Sequence, residues 1–121
     1  MTHKELDLFT RAYVECALWA CTDDNGNPLE ENYGIGDIDD DAIKHMQEDC
    51  AAFQEAHADD IINDLERAGH DFFLTRNGHG VGFWCKGRWP QEVGERLAKA
   101  ASAYKTFELY EGDDGRIYHH N

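Results

Sequence analysis

The sequence predicts an α+β fold, in which N-terminal helices and two β-hairpins form a four-stranded antiparallel sheet with an intervening helix. Three observations predict it. Apolar residues recur at helical spacing in the first half of the chain, an Asn-Gly dipeptide divides two apolar runs near residue 78, and an Asp-Gly dipeptide divides two more near residue 115. With 121 residues, 41% of them hydrophobic, the chain is predicted to form one domain with an acidic helical half, 1–68, and a hairpin-helix-hairpin half, 69–121.

A first helix is predicted over residues 4–20. Apolar residues, Phe9 and Tyr13 among them, recur there at three- and four-residue spacing, which is typical of one buried helical face. Thr2 and Glu5 stand in the arrangement of a capping box, so the helix is expected to begin just after Thr2. The turn-forming residues that follow predict a loop before the next helix.

The segment 39–68 is the second helical region. It opens with three consecutive aspartates, which suit the positive end of a helix dipole, and an apolar stripe runs through it to His57. The pattern is compatible with one continuous helix or with two helices that meet near His57. Gly69 is predicted to end the region as a C-terminal cap.

Two apolar runs, 71–75 and 81–85, predict the first hairpin. They flank Asn77-Gly78, and Asn-Gly is favoured in type I′ hairpin turns because both central residues there need a positive φ. Glycines beside and within the second run indicate a bulge or a close approach by other backbone.

The remaining elements are a helix that starts at Pro90 and a second hairpin that pairs 106–110 with 116–119. Proline is favoured at the first position of a helix, where its missing N–H costs nothing. Asp114-Gly115 supplies the turn of the second hairpin. Together the two hairpins give the four strands of the predicted sheet.

The charge of the chain is unevenly distributed. The formal net charge is −14 at pH 7, and residues 37–66 carry eleven acidic residues against one basic residue. Such a surface disfavours direct binding of nucleic acid, in which phosphate contacts dominate, and favours a protein partner with a basic surface. The alternative is a solvated face that keeps the protein soluble. The residues predicted to bind the partner are Asp37, Asp39, Asp40, Asp41, Glu48, Asp49, Glu55, Asp59, Asp60 and Asp64, with Glu66 nearby and Trp84 and Trp89 as anchors.

A site on the first hairpin is the alternative to the acidic surface. His70, Asp71, Arg76 and His79 are residue types found in small hydrolases and in sites that bind a phosphate or a nucleotide. Neither a nucleophile elbow nor a phosphate-binding glycine loop accompanies them. The sequence therefore favours a binding protein over an enzyme.

The candidate metal ligands are His70, His79 and Cys85, together with His119 and His120 near the end of the chain. Zinc sites usually contain a closely spaced pair of ligands, such as Cys-x2-Cys or His-x3-His. The spacings here match no such pattern. No metal and no other cofactor is therefore predicted.

A cytoplasmic location is predicted. No apolar run approaches the ~20 residues needed to span a bilayer, and the first residues do not have the charged-then-apolar pattern of a signal peptide. The four cysteines, Cys16, Cys21, Cys50 and Cys85, contain no Cys-x-x-Cys pair. In a reducing compartment they are expected to be free thiols, and no membrane partner is predicted.

The run 68–84, which contains Gly-His-Asp-Phe-Phe-Leu-Thr-Arg-Asn-Gly-His-Gly, resembles a family of small uncharacterised proteins of tailed bacteriophages and prophages. The family is similar over two further segments, 13–19 and 109–118. Phe73 stands where the family often has tryptophan, and Cys85 where an aspartate is common. The resemblance implies a phage accessory protein made in a bacterial cytoplasm, and it implies no activity, cofactor or catalytic residue.

Charge and resemblance together predict a small acidic phage-encoded accessory protein. It would bind a basic surface of a host protein as an inhibitor or modulator, a class that includes anti-defence proteins and nucleic-acid mimics. The alternatives are a small enzyme or a nucleotide- or phosphate-binding protein that uses the 70–79 hairpin, and a minor structural component of the virion. The sequence predicts neither the partner's identity nor the oligomeric state.

Overall fold

Helices dominate the computed structural model, which describes residues 6–79, 82–85 and 87–120, apart from the side chain of His120. The elements of this part of the chain are α1 (Leu8–Ala20), α2 (Asp40–Ile61), α3 (Leu65–Arg76), α4 (Gln91–Ser102), β1 (Glu108–Glu111) and β2 (Ile117–His120). Two short 3-10 helices, Leu29–Glu31 and Ile35–Asp37, lie between α1 and α2. The strands β1 and β2 form a two-stranded antiparallel sheet.

The predicted fold class, with its four-stranded sheet, is therefore wrong. Residues 71–75, predicted as the first strand of a hairpin, lie within α3, and residues 82–85 form turns. The reason is that Phe72, Phe73 and Leu74 are all buried, so the helix shows no polar face over this stretch. A continuous apolar run has no period that distinguishes a buried helix from a buried strand.

The Asn-Gly signal marks a helix end instead of a hairpin. Gly78 has a φ of +73° and follows directly after the C-cap residue of α3. The N–H groups of Gly78 and His79 donate to the carbonyls of Thr75 and Leu74 at 3.1 and 3.0 Å. This pair of bonds is a Schellman motif, in which glycine is favoured for the same positive φ that a hairpin turn requires.

Gly69 lies inside α3 and does not cap a helix, so that prediction is also wrong. A Cβ at this position would lie 2.1 Å from the carbonyl oxygen of Phe9 in α1. The glycine therefore allows the backbones of α1 and α3 to approach each other closely. Nearby, the ring of Phe72 packs on those of Phe9 and Tyr13, at centroid distances of 5.9 and 5.3 Å.

The segment 39–68 forms two helices, and the first of them is kinked. The side chain of Asp39 accepts from the N–H of Asp41 at the start of α2. His57 has non-helical angles, φ −128° and ψ 24°, within α2. Asp64 then caps α3 by accepting from the N–H of Arg67 at 3.2 Å.

The first predicted helix is confirmed over residues 8–20, but its predicted start is wrong. It begins at Leu8, because Asp7 caps it by accepting from the N–H of Thr10 at 2.8 Å. The predicted capping box of Thr2 and Glu5 lies outside the described residues. The predicted helix after Pro90 and the second predicted hairpin are both present.

The buried residues of these elements belong to one hydrophobic cluster. Phe53 of α2 lies near its centre, with its ring stacked on Phe72 at 4.3 Å and on Phe83 at 5.8 Å between centroids. The segment that contains Phe83 is held on α3 because the N–H of Phe83 donates to the hydroxyl of Thr75 at 3.0 Å. Within the described residues, no helix has the length and apolar character that a membrane span requires.

Candidate functional site

An acidic face runs along the outer side of α2. It is formed by Asp41, Glu48, Glu55 and Asp59, all of them exposed. Successive members are seven, seven and four residues apart, which places them on one side of a helix with 3.6 residues per turn. At 1.5 Å of rise per residue, the face extends over roughly 27 Å. The buried residues Ile43, Met46, Cys50 and Phe53 occupy the opposite side.

Several of the other predicted partner-binding acids are engaged within the chain. Asp60 accepts two hydrogen bonds from Arg96, at 2.9 and 2.7 Å, and these bonds lower the pKa of its carboxyl despite some desolvation. Asp64 pairs with Arg67 at 3.2 Å. Two acids near the start of α2 bind nearby backbone: Asp37 accepts from the N–H of Gly34, and Asp39 caps α2. Asp40 lies exposed in the first turn of α2.

Asp49 belongs to a buried network centred on Arg76. The Arg76 side chain is 3% exposed, and its Nη1 donates to an Asp49 carboxylate oxygen at 2.8 Å and to the Tyr13 hydroxyl at 3.1 Å. Its Nε and Nη2 donate to the carbonyls of Lys105 and Tyr104 at 2.8 and 2.9 Å. Because its donors are occupied in this way, Arg76 joins α1, α2 and α3 to the segment after α4.

Asp71 is the acceptor of a second buried network. Its carboxylate is fully buried, and it accepts from both Nε and Nη2 of Arg88 and from the indole N–H of Trp89 at 2.8 Å. Burial raises the pKa of Asp71, but the hydrogen bonds and charge of its neighbours outweigh burial and leave the pKa below its usual value. Asp71 therefore anchors the turn segment 87–90 to α3 as a charged group.

The four residues of the alternative site do not share one pocket. His70 is partly exposed, with its Nδ1 3.7 Å from an Asp71 oxygen. Asp71 and Arg76 are buried in separate networks on α3, and His79 packs beside Phe73 after the end of that helix. The hairpin on which the alternative placed these residues is not formed.

His70 does line a surface groove of about 400 Å³ between α1 and α3. Its ring lies 6.1 Å from that of Trp19, which is 51% exposed. Arg67 and Arg88 add positive charge to the groove, and three carboxylates add negative charge: Glu15, Asp64 and Glu66. The groove thus combines an open aromatic face with charges of both signs.

Trp84 and Trp89, the predicted anchors, line a cleft of about 600 Å³ beside the start of α4. Trp84 is 44% exposed. Trp89 is half-buried because its indole N–H is bound to Asp71 and its ring packs on Phe83. Trp84 is therefore the more accessible of the two aromatic side chains.

The candidate metal ligands predicted from the sequence lie apart from one another, and within the described part of the chain only His119 belongs to a group of three potential ligands. His70 lies in α3, His79 follows that helix, and Cys85 is half-buried in the turns of 82–85. His119 lies in β2, close to Asp41 and His45 in the first turns of α2. Sequence analysis did not select these two residues as metal ligands. Among the described residues, the ligand atoms of Asp41, His45 and His119 lie within 4.8 Å of one another.

Sequence reasoning missed His45 and Trp19. A signal existed for His45, because Asp41 and His45 are four residues apart on a predicted helix and must share a face. Trp19 acquires its surroundings only when α3 packs against α1.

Comparison with known proteins gives no relative. No protein-family model, curated protein or solved structure matches this chain. Its function is therefore inferred from the geometry described above.

Proposed function

We propose that this protein binds a basic surface of another protein through the acidic face of α2. In this proposal it is an accessory protein of a tailed bacteriophage or prophage, and it acts in the bacterial cytoplasm as an inhibitor or modulator of a host protein. The observation that carries the proposal is that three of the four carboxylates of that face are unpaired. Among the described residues, Glu48, Glu55 and Asp59 have no cationic partner.

These free carboxylates contrast with the acids around them. Asp49 and Asp60 have arginine partners that neutralise them within the fold. Like charges that remain unpaired on one helix face repel one another, and they accelerate encounter with a positively charged partner. Pairing with lysine or arginine side chains of a partner would relieve that repulsion, which supports binding as the role of this face.

The spacing of the face favours a basic protein surface over mimicry of nucleic acid. Asp41, Glu48 and Glu55 follow one another at seven-residue intervals, which is roughly 10 Å along the helix. Duplex DNA carries one phosphate charge per ~1.7 Å of axis, a much denser array. The arrangement therefore suits a partner whose cations are separated by about two helical turns.

Neutralising the free carboxylates tests the proposal. The triple variant Glu48→Gln, Glu55→Gln, Asp59→Asn changes net charge by three without removing an internal ion pair. Wild type and variant are immobilised and exposed to bacterial lysate at low and at moderate salt, and the bound proteins are identified and quantified. We expect the wild type to retain a basic protein at low salt, and the triple variant to lose about ten-fold or more of it.

The matched control is Glu30→Gln, Glu31→Gln, Asp113→Asn, which neutralises three exposed carboxylates outside α2. It changes net charge by the same amount, so it should retain most of the wild-type binding. Equal retention by wild type and triple variant would refute the proposal. Equal loss in the two variants would show that overall charge, and not this face, attracts the bound protein.

The groove between α1 and α3 supports a second candidate, binding of a nucleotide or another phosphate compound. Trp19 offers an exposed ring for stacking, and His70, Arg67 and Arg88 supply donors. The candidate ranks second because carboxylates line the same groove and Arg88 is already bound to Asp71. A nucleotide that raises the melting temperature of the wild type, but not that of Trp19→Ala, would support this candidate.

A further inference from the structure

A carboxylate and two imidazoles converge where the start of α2 meets β2. The Nε2 of His119 lies 3.2 Å from an Asp41 carboxylate oxygen, and the Nε2 of His45 lies 3.7 Å from the same oxygen. The two imidazole rings are 4.9 Å apart between centroids. Each side chain thus points a potential metal-binding atom toward the same small region.

The positions of the three side chains follow from the backbone. Asp41 and His45 share a face of α2 because they are four residues apart. The N–H of Asp39 donates to the carbonyl of Ile117 at 2.7 Å, which holds the start of α2 against β2. His119 lies two residues beyond Ile117, and its ring is stacked on Phe107 at 4.8 Å. Two secondary-structure elements therefore present the ligands from a fixed framework.

The separations are close to those that a transition metal imposes. Zinc binds imidazole nitrogen at ~2.0–2.1 Å and carboxylate oxygen at ~2.0–2.2 Å in tetrahedral geometry, so neighbouring donor atoms lie about 3.4 Å apart. The two separations that involve Asp41, 3.2 and 3.7 Å, bracket that value, and all three ligand atoms lie within 4.8 Å of one another. Small rotations of the exposed His45 and Asp41 side chains would complete the geometry around the more buried His119.

We propose that Asp41, His45 and His119 form a binding site for a divalent transition metal ion such as Zn²⁺. The ligands are one carboxylate oxygen of Asp41 and the Nε2 atoms of His45 and His119. Three protein ligands leave a fourth position for water or for a group from a binding partner. The strongly negative chain also favours a cation over an anion at this place.

The environment of His119 sets the expected strength of binding. Its Nδ1 is buried and has no hydrogen-bond partner among the described residues. Metal-bound histidines usually donate from their other ring nitrogen, and loss of such a bond costs about 10–100-fold in affinity. With no such bond at His119, we expect Zn²⁺ to bind about 10–100-fold more weakly than at a three-ligand site that has one.

Titration of the untagged, metal-free protein with Zn²⁺ in a calorimeter tests the proposal, and Co²⁺ absorption reports the ligands. We expect one Zn²⁺ per chain and a tetrahedral Co²⁺ spectrum without a thiolate charge-transfer band. Asp41→Asn, His45→Gln and His119→Gln should each weaken Zn²⁺ binding by ten-fold or more. The control His79→Gln removes an imidazole after the end of α3 and should leave the affinity within two-fold of wild type.

Two results would overturn the proposal. One is the absence of saturable 1:1 binding of Zn²⁺ to the wild type. The other is wild-type affinity in the three ligand variants, which would assign the metal to other residues. Circular dichroism verifies that each variant is folded, and His45→Gln serves as the decisive variant if His119→Gln is not folded, because His45 is exposed.

Discussion

Replacement of Arg76 by lysine is expected to destabilise the fold strongly. The guanidinium donates to the carbonyls of Tyr104 and Lys105, to the Tyr13 hydroxyl and to the Asp49 carboxylate. A lysine ammonium is a single point of charge on a flexible stem, so it cannot reach four acceptors that surround a planar fork. The change preserves the positive charge and removes the planar arrangement of donors that reaches these acceptors.

The expected loss is about 2–4 kcal/mol of the free energy of unfolding. Removing one member of a buried ion pair costs about 3–5 kcal/mol, and a hydrogen bond to a charged group about 1.5–3 kcal/mol. The Asp49 side chain is 32% exposed, so water can solvate it and the lower part of the range applies. At an unfolding entropy of about 2.1 cal/mol/K per residue, this loss lowers the melting temperature by about 8–16 °C.

Urea denaturation, followed by tryptophan fluorescence and far-UV circular dichroism, measures the loss. Arg67→Lys is the matched control, because the Arg67 side chain is 43% exposed and pairs with Asp64 at the surface. The control should change stability by less than about 1 kcal/mol. A value for Arg76→Lys that also lies within about 1 kcal/mol of wild type would refute the role assigned to the buried network.

Three further predictions concern the close helix contact, pH and the cysteines. Gly69→Ala should cost about 3 kcal/mol or more in urea denaturation, since its Cβ would lie 2.1 Å from a carbonyl oxygen of α1; Gly36→Ala, with nothing within 4 Å, should cost less than about 1 kcal/mol. The pKa of Asp71 is lowered by folding, so its contribution is complete above the unfolded pKa of ~3.9 and is lost as pH falls through the folded pKa. The stability difference between wild type and Asp71→Asn should therefore shrink as the pH falls below about 4, and a constant difference would contradict this assignment. Burial raises the pKa of Cys16 to about 12 and also raises those of Cys21 and Cys50, so a thiol-specific disulfide reagent should react quickly only with Cys85 in the native protein. Rapid reaction of all the cysteines would disprove the assigned burial.

The elements that sequence analysis predicted correctly each have one buried face and one exposed face. In α1, α2 and the hairpin of β1 and β2, that contrast makes apolar residues recur at the spacing of a helix or a strand. The helix α3 contacts α1 on one side and the segment of Phe83 on another, so every residue from 71 to 76 is buried. Its helical nature depends on these tertiary contacts, and Asn77-Gly78 supplies a turn in either structure.

The candidate site was predictable to the extent that it lies on one helix. The acidic face of α2 follows from the seven-residue spacing of its members. The spacing does not show which acids remain unpaired, because Arg76 and Arg96 lie on other elements and neutralise Asp49 and Asp60. The meeting of His119 with α2 likewise depends on a backbone contact between segments far apart in the chain.

The contact of Gly69 with α1 also has a consequence for how quickly the chain folds. Phe9 and Gly69 are separated by about sixty residues, and closing a loop of that length costs on the order of 4 kcal/mol of chain entropy. Contacts between α1 and α3 can stabilise the chain only after this entropy has been lost. We therefore expect formation of the contacts between α1 and α3 to limit the folding rate. Substitutions that weaken the hairpin of β1 and β2 should instead mainly accelerate unfolding.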